Sequence, residues 1–123
     1  MPNFNLTHEI ERSVASALAE DVGAGDLTAA LVPETTTATA TVITREPTIL
    51  CGRSWFDEVF KQLDPKISIE WNYMDGQRIA ANKTICTLQG SARPLLTGER
   101  TALNFLQTLS GTPTEYGIFL RAS

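Results

Sequence analysis

The sequence predicts an α+β fold in which a mainly antiparallel sheet packs with helices. Apolar residues recur at helical spacing near both ends of the chain and at residues 54–63, whereas they alternate with polar residues over much of 38–90. The 123 residues suit one compact domain, and a hydrophobic content of 42% is enough for a buried core. We therefore expect four or more strands from residues 38–90 to pack against helices at Ser54–Leu63 and Leu95–Ser110.

The first helix is predicted to begin after Thr7, which is a suitable N-cap, and to end near Gly23. Asp26 can cap one further helical turn through Leu31, and Pro33 prevents its continuation. The core-facing stripe of the first helix follows the spacing of an amphipathic helix and consists of Ile10, Val14, Ala17 and Leu18.

The middle of the chain is predicted to form strands around one helix. Residues 36–48 alternate threonine with small apolar residues, and Glu46-Pro47 breaks this first strand from a second at Thr48 to Cys51. The helix at Ser54–Leu63 has Ser54 as its predicted N-cap, with Asp57 three residues later, and Asp64-Pro65 ends it. Further strands and turns are predicted at Ile67 to Trp71, Asp75-Gly76, Ile79, Asn82-Lys83 and Ile85 to Leu88.

The helix at Leu95–Ser110 has an apolar arc of about half its circumference, wider than on an ordinary surface helix. We therefore expect it to be covered on more than one side. Glu99 falls inside this arc, where an unpaired carboxylate is costly, so the sequence predicts a buried partner for it. Arg100, Asn104 and Gln107 lie beyond the arc or at its border. Their donor groups suit binding of a carboxylate or phosphate, and a structural salt bridge of Arg100 is the alternative.

The composition excludes several classes of partner. With 14 acidic and 10 basic side chains the net charge is −4, which argues against a surface for nucleic acid or anionic lipid. No stretch approaches the ~18 apolar residues of a membrane span, and the start of the chain lacks the features of a signal peptide. We therefore expect a cytoplasmic protein. Cys51 and Cys86 lack metal-ligand spacing and are expected to be reduced and mostly buried.

The residues near the first predicted helix end have structural as well as functional interpretations. Gly23-Ala24-Gly25 lacks the third glycine of a dinucleotide-binding motif, so a helix-ending turn is favoured over a phosphate site. Glu20, Asp21 and Asp26 could hold magnesium or serve acid–base chemistry, but capping and solvated charge are favoured.

Two further residues carry little functional signal. His8 has no companion histidine for a metal site or a catalytic triad. Lys83 lies in a predicted turn, like the modified lysine of a lipoyl- or biotinyl-carrier domain, but the sequence shows no second matching half. The residues alone therefore predict no metal site and no catalytic residue.

Three blocks of sequence follow one another with compatible spacing: EDVGAGDLT at 20–28, TVITRE at 41–46 and GERTALNFLQTLSG at 98–111. They resemble the amino-terminal domain of the quinolinate phosphoribosyltransferase family, also called nicotinate-nucleotide pyrophosphorylase (carboxylating). The resemblance extends from about Val14 to Thr112, and the last block is the most specific.

This resemblance implies a transferase of de novo NAD biosynthesis, which converts quinolinate and phosphoribosyl pyrophosphate to nicotinate mononucleotide, pyrophosphate and CO2. It implies magnesium in the complete enzyme and no cofactor in this chain. In that family an α+β amino-terminal domain packs against the α/β barrel of a partner subunit, so a homo-oligomer is expected. The arginine of the Glu-Arg pair binds a substrate carboxylate in the partner's site, and Arg100 occupies that position.

Two departures from the family pattern limit what the chain is expected to do alone. Family chains are more than twice as long, and without the barrel the chain is expected to be inactive. Residues 113–123 do not fit the basic helix that usually follows. We therefore divide the chain into a family-like domain at 1–112 and an atypical, disordered or frame-shifted tail at 113–123. The chain is expected to be a truncated product or an isolated domain. The alternative function is a free-standing binding or carrier-like module.

Overall fold

The computed structural model describes residues 5–110 and 116–122, and for residues 22–28 it describes the backbone alone. The predicted α+β class is confirmed. Among the described residues, no helix is both long and apolar enough to cross a membrane. In chain order the elements are α1 (Leu6–Ala29), β1 (Thr37–Thr44), β2 (Thr48–Ile49), α2 (Arg53–Leu63), β3 (Ser68–Trp71), β4 (Arg78–Ile79), β5 (Thr84–Ser91), α3 (Ala92–Leu109) and β6 (Tyr116–Ala122).

The main sheet is antiparallel and has the strand order β3-β5-β1-β6, while β2 and β4 pair in a separate two-stranded sheet. Along β1, Ala38, Ala40 and Val42 are buried and the threonines between them are more exposed, as the alternating sequence predicts. β3, β5 and β1 come from the expected region. The fourth strand is β6, so the expectation that residues 38–90 supply four strands of this sheet is wrong.

All three helices share one core with the buried face of the sheet. This arrangement confirms the expected packing of the sheet against the second and third helices. The fully buried side chains that contribute most volume come from helices and strands alike and include Val14, Val42, Phe56, Phe60, Leu88, Leu95 and Leu106.

Neither Thr7 nor Ser54 caps its helix in the structure. In α1, Oδ1 of Asn5 accepts a hydrogen bond from the His8 backbone N–H at 3.1 Å, so the cap lies two residues before Thr7. α2 begins after Gly52, whose φ of 102° lies in the left-handed region and which makes no side-chain cap. Glycine adopts this conformation without a steric penalty, and Ser54 therefore lies inside the helix.

The helical backbone of α1 continues to Ala29, so the predicted end near Gly23 and the separate turn from Asp26 to Leu31 are wrong. A glycine inside a helix costs about 1 kcal/mol relative to alanine, which weakens a helix without ending it. Leu18 and Ala29 are both buried and are eleven positions apart, which returns them to the same helical face. Packing of this face favours the longer helix.

The predicted end of α2 is confirmed, because the Asp64 backbone N–H donates to the Phe60 carbonyl at 2.7 Å and Asp64 has extended geometry. Asp57 does not form the capping box that its spacing suggested. Its Oδ1 instead accepts a hydrogen bond from Trp71 Nε1 at 2.8 Å. Burial raises the pKa of Asp57, and the hydrogen bond from Trp71 partly opposes this shift.

The end of the chain forms an edge strand of the main sheet. The expectation of poor order is wrong for residues 116–122, because Ile118 pairs with Val42 and Leu120 with Ala40. Tyr116 is buried, and its hydroxyl lies 2.8 Å from Ser110 Oγ. The apolar residues at 116, 118 and 120 already have the spacing of a strand. Residues 111–115 lie outside the described residues, and the domain boundary at 112 stays a prediction.

The two cysteines differ in accessibility. Both are free thiols in the structure, with Cys86 buried and Cys51 exposed, so the expectation of burial is wrong for Cys51. Burial raises the pKa of the Cys86 thiol far above its ordinary value, which suppresses the reactive thiolate.

Candidate functional site

The candidate site lies on the side of α3 that carries Arg100. The opposite side of this helix is fixed by close packing. Gly98 faces α2 at very short range: a Cβ there would lie 2.7 Å from Leu63 Cδ1 and 3.0 Å from Phe60 Cε1. At the other end, Gly52 lies so close to Leu109 that a Cβ would lie 2.9 Å from its Cδ1. α1 also packs against α3. The expected cover on more than one side is therefore supplied by this chain itself.

Arg93 holds the start of α3 in place. Its Nε donates a hydrogen bond to the Val32 carbonyl at 2.7 Å, and its Nη1 lies 3.5 Å from Glu34 Oε1. The guanidinium is therefore engaged by the segment that follows α1. Arg93 has a structural role, and it provides an internal comparison for the next arginine along the helix.

Arg100 is much less engaged than Arg93. Its side chain is 73% exposed, and its Nε lies 4.0 Å from Asp21 Oδ1, at the outer limit of an ion pair. Within the described part of the chain this is the one ion pair of Arg100. Exposed pairs of this kind contribute about 0–1 kcal/mol to stability, so the structural salt bridge is present but weak. The terminal pair of Nη atoms is left for another acceptor.

Asp21 connects α1 to α3. Its Oδ2 accepts a hydrogen bond from Thr101 Oγ1 at 3.0 Å, and Thr101 is only 1% exposed. The sequence favoured capping or solvated charge for Asp21, and this contact was missed. The spacing of Val14, Leu18 and Asp21 along one helical face is the signal that could have placed Asp21 against the core.

A groove of about 480 Å³ runs between the three helices on this side of the domain. Asp21, Thr101 and Asn104 line it. The hydrogen-bonded pair Asp21 and Thr101 therefore forms part of its wall. Asn104 is exposed, and Gln107 is half-buried and is not a lining residue. The three predicted donors are therefore on one side of α3, but they do not form a single pocket. Other lining residues are Ser13, Ala17, Glu20, Trp55, Phe105, Thr108 and Leu109.

Glu99 is half-buried, as its position in the apolar arc indicated. The predicted buried partner is not found: among the described residues Glu99 makes no hydrogen bond or ion pair. Burial raises the pKa of Glu99 because desolvation disfavours its charged form. Partial exposure keeps the carboxylate in contact with water, which replaces the missing partner.

Among the described side chains, the other candidate residues do not form a second site. The side chain of Asp26 lies outside the described residues. Among the side chains that are described, no group of three or more His, Cys, Asp or Glu residues could hold a metal ion. His8 is exposed in the first turn of α1, and Lys83 is exposed beside Asn82, whose φ is 65°.

Comparison with known families decides the membership of this chain. Residues 26–110 match the family described as "Quinolinate phosphoribosyl transferase, N-terminal domain". The chain belongs to this family. The resemblance inferred from the three sequence blocks is therefore confirmed. The matched region ends with α3 and includes Arg100 and Thr101, whereas Asp21 precedes it.

Relatives of known sequence extend well beyond the region shared with this chain. A chloroplastic nicotinate-nucleotide pyrophosphorylase (carboxylating) from Oryza sativa subsp. japonica is 35% identical over 115 residues, which cover 92% of this chain and 31% of the relative. A probable nicotinate-nucleotide pyrophosphorylase (carboxylating) from Bacillus subtilis is 34% identical over 95 residues, covering 77% of this chain and 33% of the relative. The chain spans about a third of the length of these curated relatives.

Solved structures share the fold. The nicotinate-nucleotide pyrophosphorylase from Francisella tularensis matches with a TM-score of 0.81 and 47% identity, over 89% of this chain and 39% of that one. NadC from Streptococcus pyogenes matches with a TM-score of 0.80 and 32% identity, over 90% and 40% of the two chains. The quinolinate phosphoribosyltransferase fold of this domain is thus shared by proteins that are more than twice as long.

Proposed function

We propose that this chain supplies the substrate-gripping and dimer-forming domain of a quinolinate phosphoribosyltransferase. The complete enzyme forms nicotinate mononucleotide, pyrophosphate and CO2 from quinolinate and phosphoribosyl pyrophosphate in de novo NAD biosynthesis. In this proposal Arg100 binds a quinolinate carboxylate in a site that the barrel domain of a partner subunit completes. The proposal includes a cytoplasmic homo-oligomer without nucleic-acid or membrane partners.

The exposed guanidinium of Arg100 is the observation that carries this proposal. Arg100 extends from a helix whose other side is fixed by packing, and its one ion pair among the described residues is made through Nε. A guanidinium presents two parallel N–H donors to a carboxylate and stays charged at physiological pH. Quinolinate carries two carboxylates. An arginine that extends from a firmly packed helix and whose Nη atoms can bind a carboxylate therefore suits this substrate.

Binding by Arg100 alone does not complete the reaction. Phosphoribosyl transfer also needs groups that stabilise the charge developing on the pyrophosphate leaving group. The described side chains contain no ligand set for the magnesium ion that the family implies. We therefore propose that the chain alone is inactive. A single exposed arginine–carboxylate pair contributes about 0–1 kcal/mol, so its affinity for quinolinate is weak.

A chimera tests this proposal. Residues 5–110 of this chain replace the matching region of the Francisella tularensis relative, and formation of nicotinate mononucleotide is measured for the chimera and for the isolated chain. We expect product from the chimera and none from the isolated chain. A folded oligomeric chimera without activity, or product formation by the isolated chain, contradicts the proposal.

The family assignment favours this function over a free-standing carrier-like module. The carrier alternative requires covalent modification of Lys83. Mass spectrometry of the chain purified from its own cells distinguishes the two: an unmodified Lys83 agrees with the enzyme domain, and a lipoyl or biotinyl mass shift on Lys83 contradicts it.

A further inference from the structure

We propose that Asp21 is a positioning residue for Arg100. Its carboxylate, anchored by Thr101, holds the Nε side of the guanidinium so that the two Nη atoms remain free for a substrate carboxylate. This inference rests on the proposed function of Arg100, and it adds a role for a residue of α1 that lies outside the matched family region.

The anchor is the contact between Asp21 and Thr101. Thr101 Oγ1 donates to Asp21 Oδ2 at 3.0 Å, a normal length for a hydrogen bond. Thr101 is buried and β-branched, so its hydroxyl has little rotational freedom on α3. The Asp21 side chain is 30% exposed. The carboxylate is therefore held between α1 and α3 rather than moving freely in water.

The free oxygen of this carboxylate defines which edge of Arg100 is engaged. Asp21 Oδ1 lies 4.0 Å from Arg100 Nε. A guanidinium can bind a carboxylate through either of two edges: the side edge, which carries Nε, or the end edge, which carries both Nη atoms. Because Asp21 lies at the Nε side, it leaves the end edge available to another carboxylate. Restricting a flexible arginine before it binds also reduces the rotamer freedom lost on binding.

The chain offers matched controls for this charge effect. Glu20 is next to Asp21 and lines the same groove, but it forms no ion pair with Arg100 among the described contacts. Arg12 pairs with Glu9 through Nη1 at 3.6 Å within α1, so its Nε is not engaged in that ion pair. Glu20→Gln thus changes the charge of the groove without changing the proposed contact.

Hydrogen exchange of the arginine Nε–H groups tests the contact in the 123-residue chain by nuclear magnetic resonance. Asp21→Asn keeps an oxygen acceptor for Thr101 and removes the negative charge. We expect exchange at Arg100 Nε–H to become about two- to fivefold faster in Asp21→Asn, the factor that an exposed ion pair supports. Exchange at Arg12 should not change, and Glu20→Gln should leave both arginines unaffected. Unchanged exchange at Arg100 in Asp21→Asn overturns the inference.

The same variants in the chimera separate this inference from the proposed function. We expect Asp21→Asn to raise KM for quinolinate about two- to fivefold, with KM for phosphoribosyl pyrophosphate and kcat unchanged. Arg100→Ala should raise KM for quinolinate further, and Glu20→Gln should have no effect. If Arg100→Ala leaves KM for quinolinate unchanged, the proposed function is wrong. If Arg100→Ala raises it and Asp21→Asn does not, only the positioning role is wrong.

Discussion

The two sides of α3 differ in what explains their residues. On the core side, Leu95, Gly98 and Leu106 are buried, and the close approach of α2 requires a glycine at 98. On the opposite side, Arg100 and Asn104 are exposed and contribute little to packing. The needs of stability therefore explain the residues on the core side of α3 but not those on its exposed side. Residues that are not needed for stability are the better candidates for substrate binding.

The largest expected effect is on the core side. Leu106 is fully buried, and Leu106→Ala should lower the free energy of unfolding by about 2–5 kcal/mol, because it removes apolar contacts and leaves a cavity. Denaturant titration measures the loss. Leu31→Ala is the control, because Leu31 is 85% exposed and its replacement should change stability by less than about 0.5 kcal/mol. Equal effects of the two variants would show that α3 is not packed as described.

Gly98→Ala should have the next largest effect. Overpacking against Leu63 and Phe60 costs about 1–3 kcal/mol, whereas alanine gains about 1 kcal/mol in helix propensity, so a net loss of about 1 kcal/mol is expected. Asn104→Ala on the exposed side brings the propensity gain without the clash and should stabilise slightly. A Gly98→Ala variant that is as stable as Asn104→Ala would contradict the close approach of α2 and α3.

Glu99, at the border between the two sides, should make stability depend on pH. Burial raises the pKa of Glu99 in the folded state above its usual 4.5, so the folded protein retains this proton more strongly than the unfolded chain. Its contribution to stability is therefore complete below the unfolded pKa and is lost as the pH rises through the folded pKa. Glu99→Gln should reduce this loss, and Glu70→Gln, at an exposed position of β3, should not. Identical pH profiles for the wild type and Glu99→Gln would refute this.

The smallest effect on stability is expected for Arg100→Ala. Its long, exposed ion pair predicts a change below about 0.5 kcal/mol in the free energy of unfolding. Arg93→Ala should cost more, about 1 kcal/mol, because it removes a hydrogen bond to the Val32 carbonyl. If thermal or denaturant unfolding shows the reverse order, Arg100 is a structural residue and the comparison of the two sides fails.

Hydropathy patterns predicted the parts of the fold that depend on burial. The alternation in β1 and the helical spacing at 54–63 and in α3 reflect contact with one shared core, and these elements are present. The N-caps at Thr7 and Ser54 were wrong because backbone geometry and a neighbouring asparagine, not residue type alone, decide where a helix begins. β6 was missed because its strand pattern consists of only three alternating apolar residues at an end of the chain, where irregular backbone is common.

The candidate site was less predictable than the fold. The exposure of Arg100 follows from its position on the helix, whereas its role rests on the family resemblance and stays a prediction. The contact between Asp21 and Thr101 joins residues eighty positions apart, and no local pattern specifies such a pair. A buried partner for Glu99 was expected from the cost of an unpaired charge, but partial exposure to water makes that partner unnecessary.

The most direct test of a substrate role for the exposed side of α3 is KM for quinolinate in the chimera with Arg100→Ala, compared with Arg12→Ala. Both arginines are exposed, and both pair weakly with a carboxylate of this chain. We expect Arg100→Ala to raise KM for quinolinate at least about tenfold, as loss of a charged hydrogen bond predicts, with KM for phosphoribosyl pyrophosphate unchanged and Arg12→Ala indistinguishable from the parent. Equal KM values for quinolinate in the two variants would contradict the assignment of Arg100.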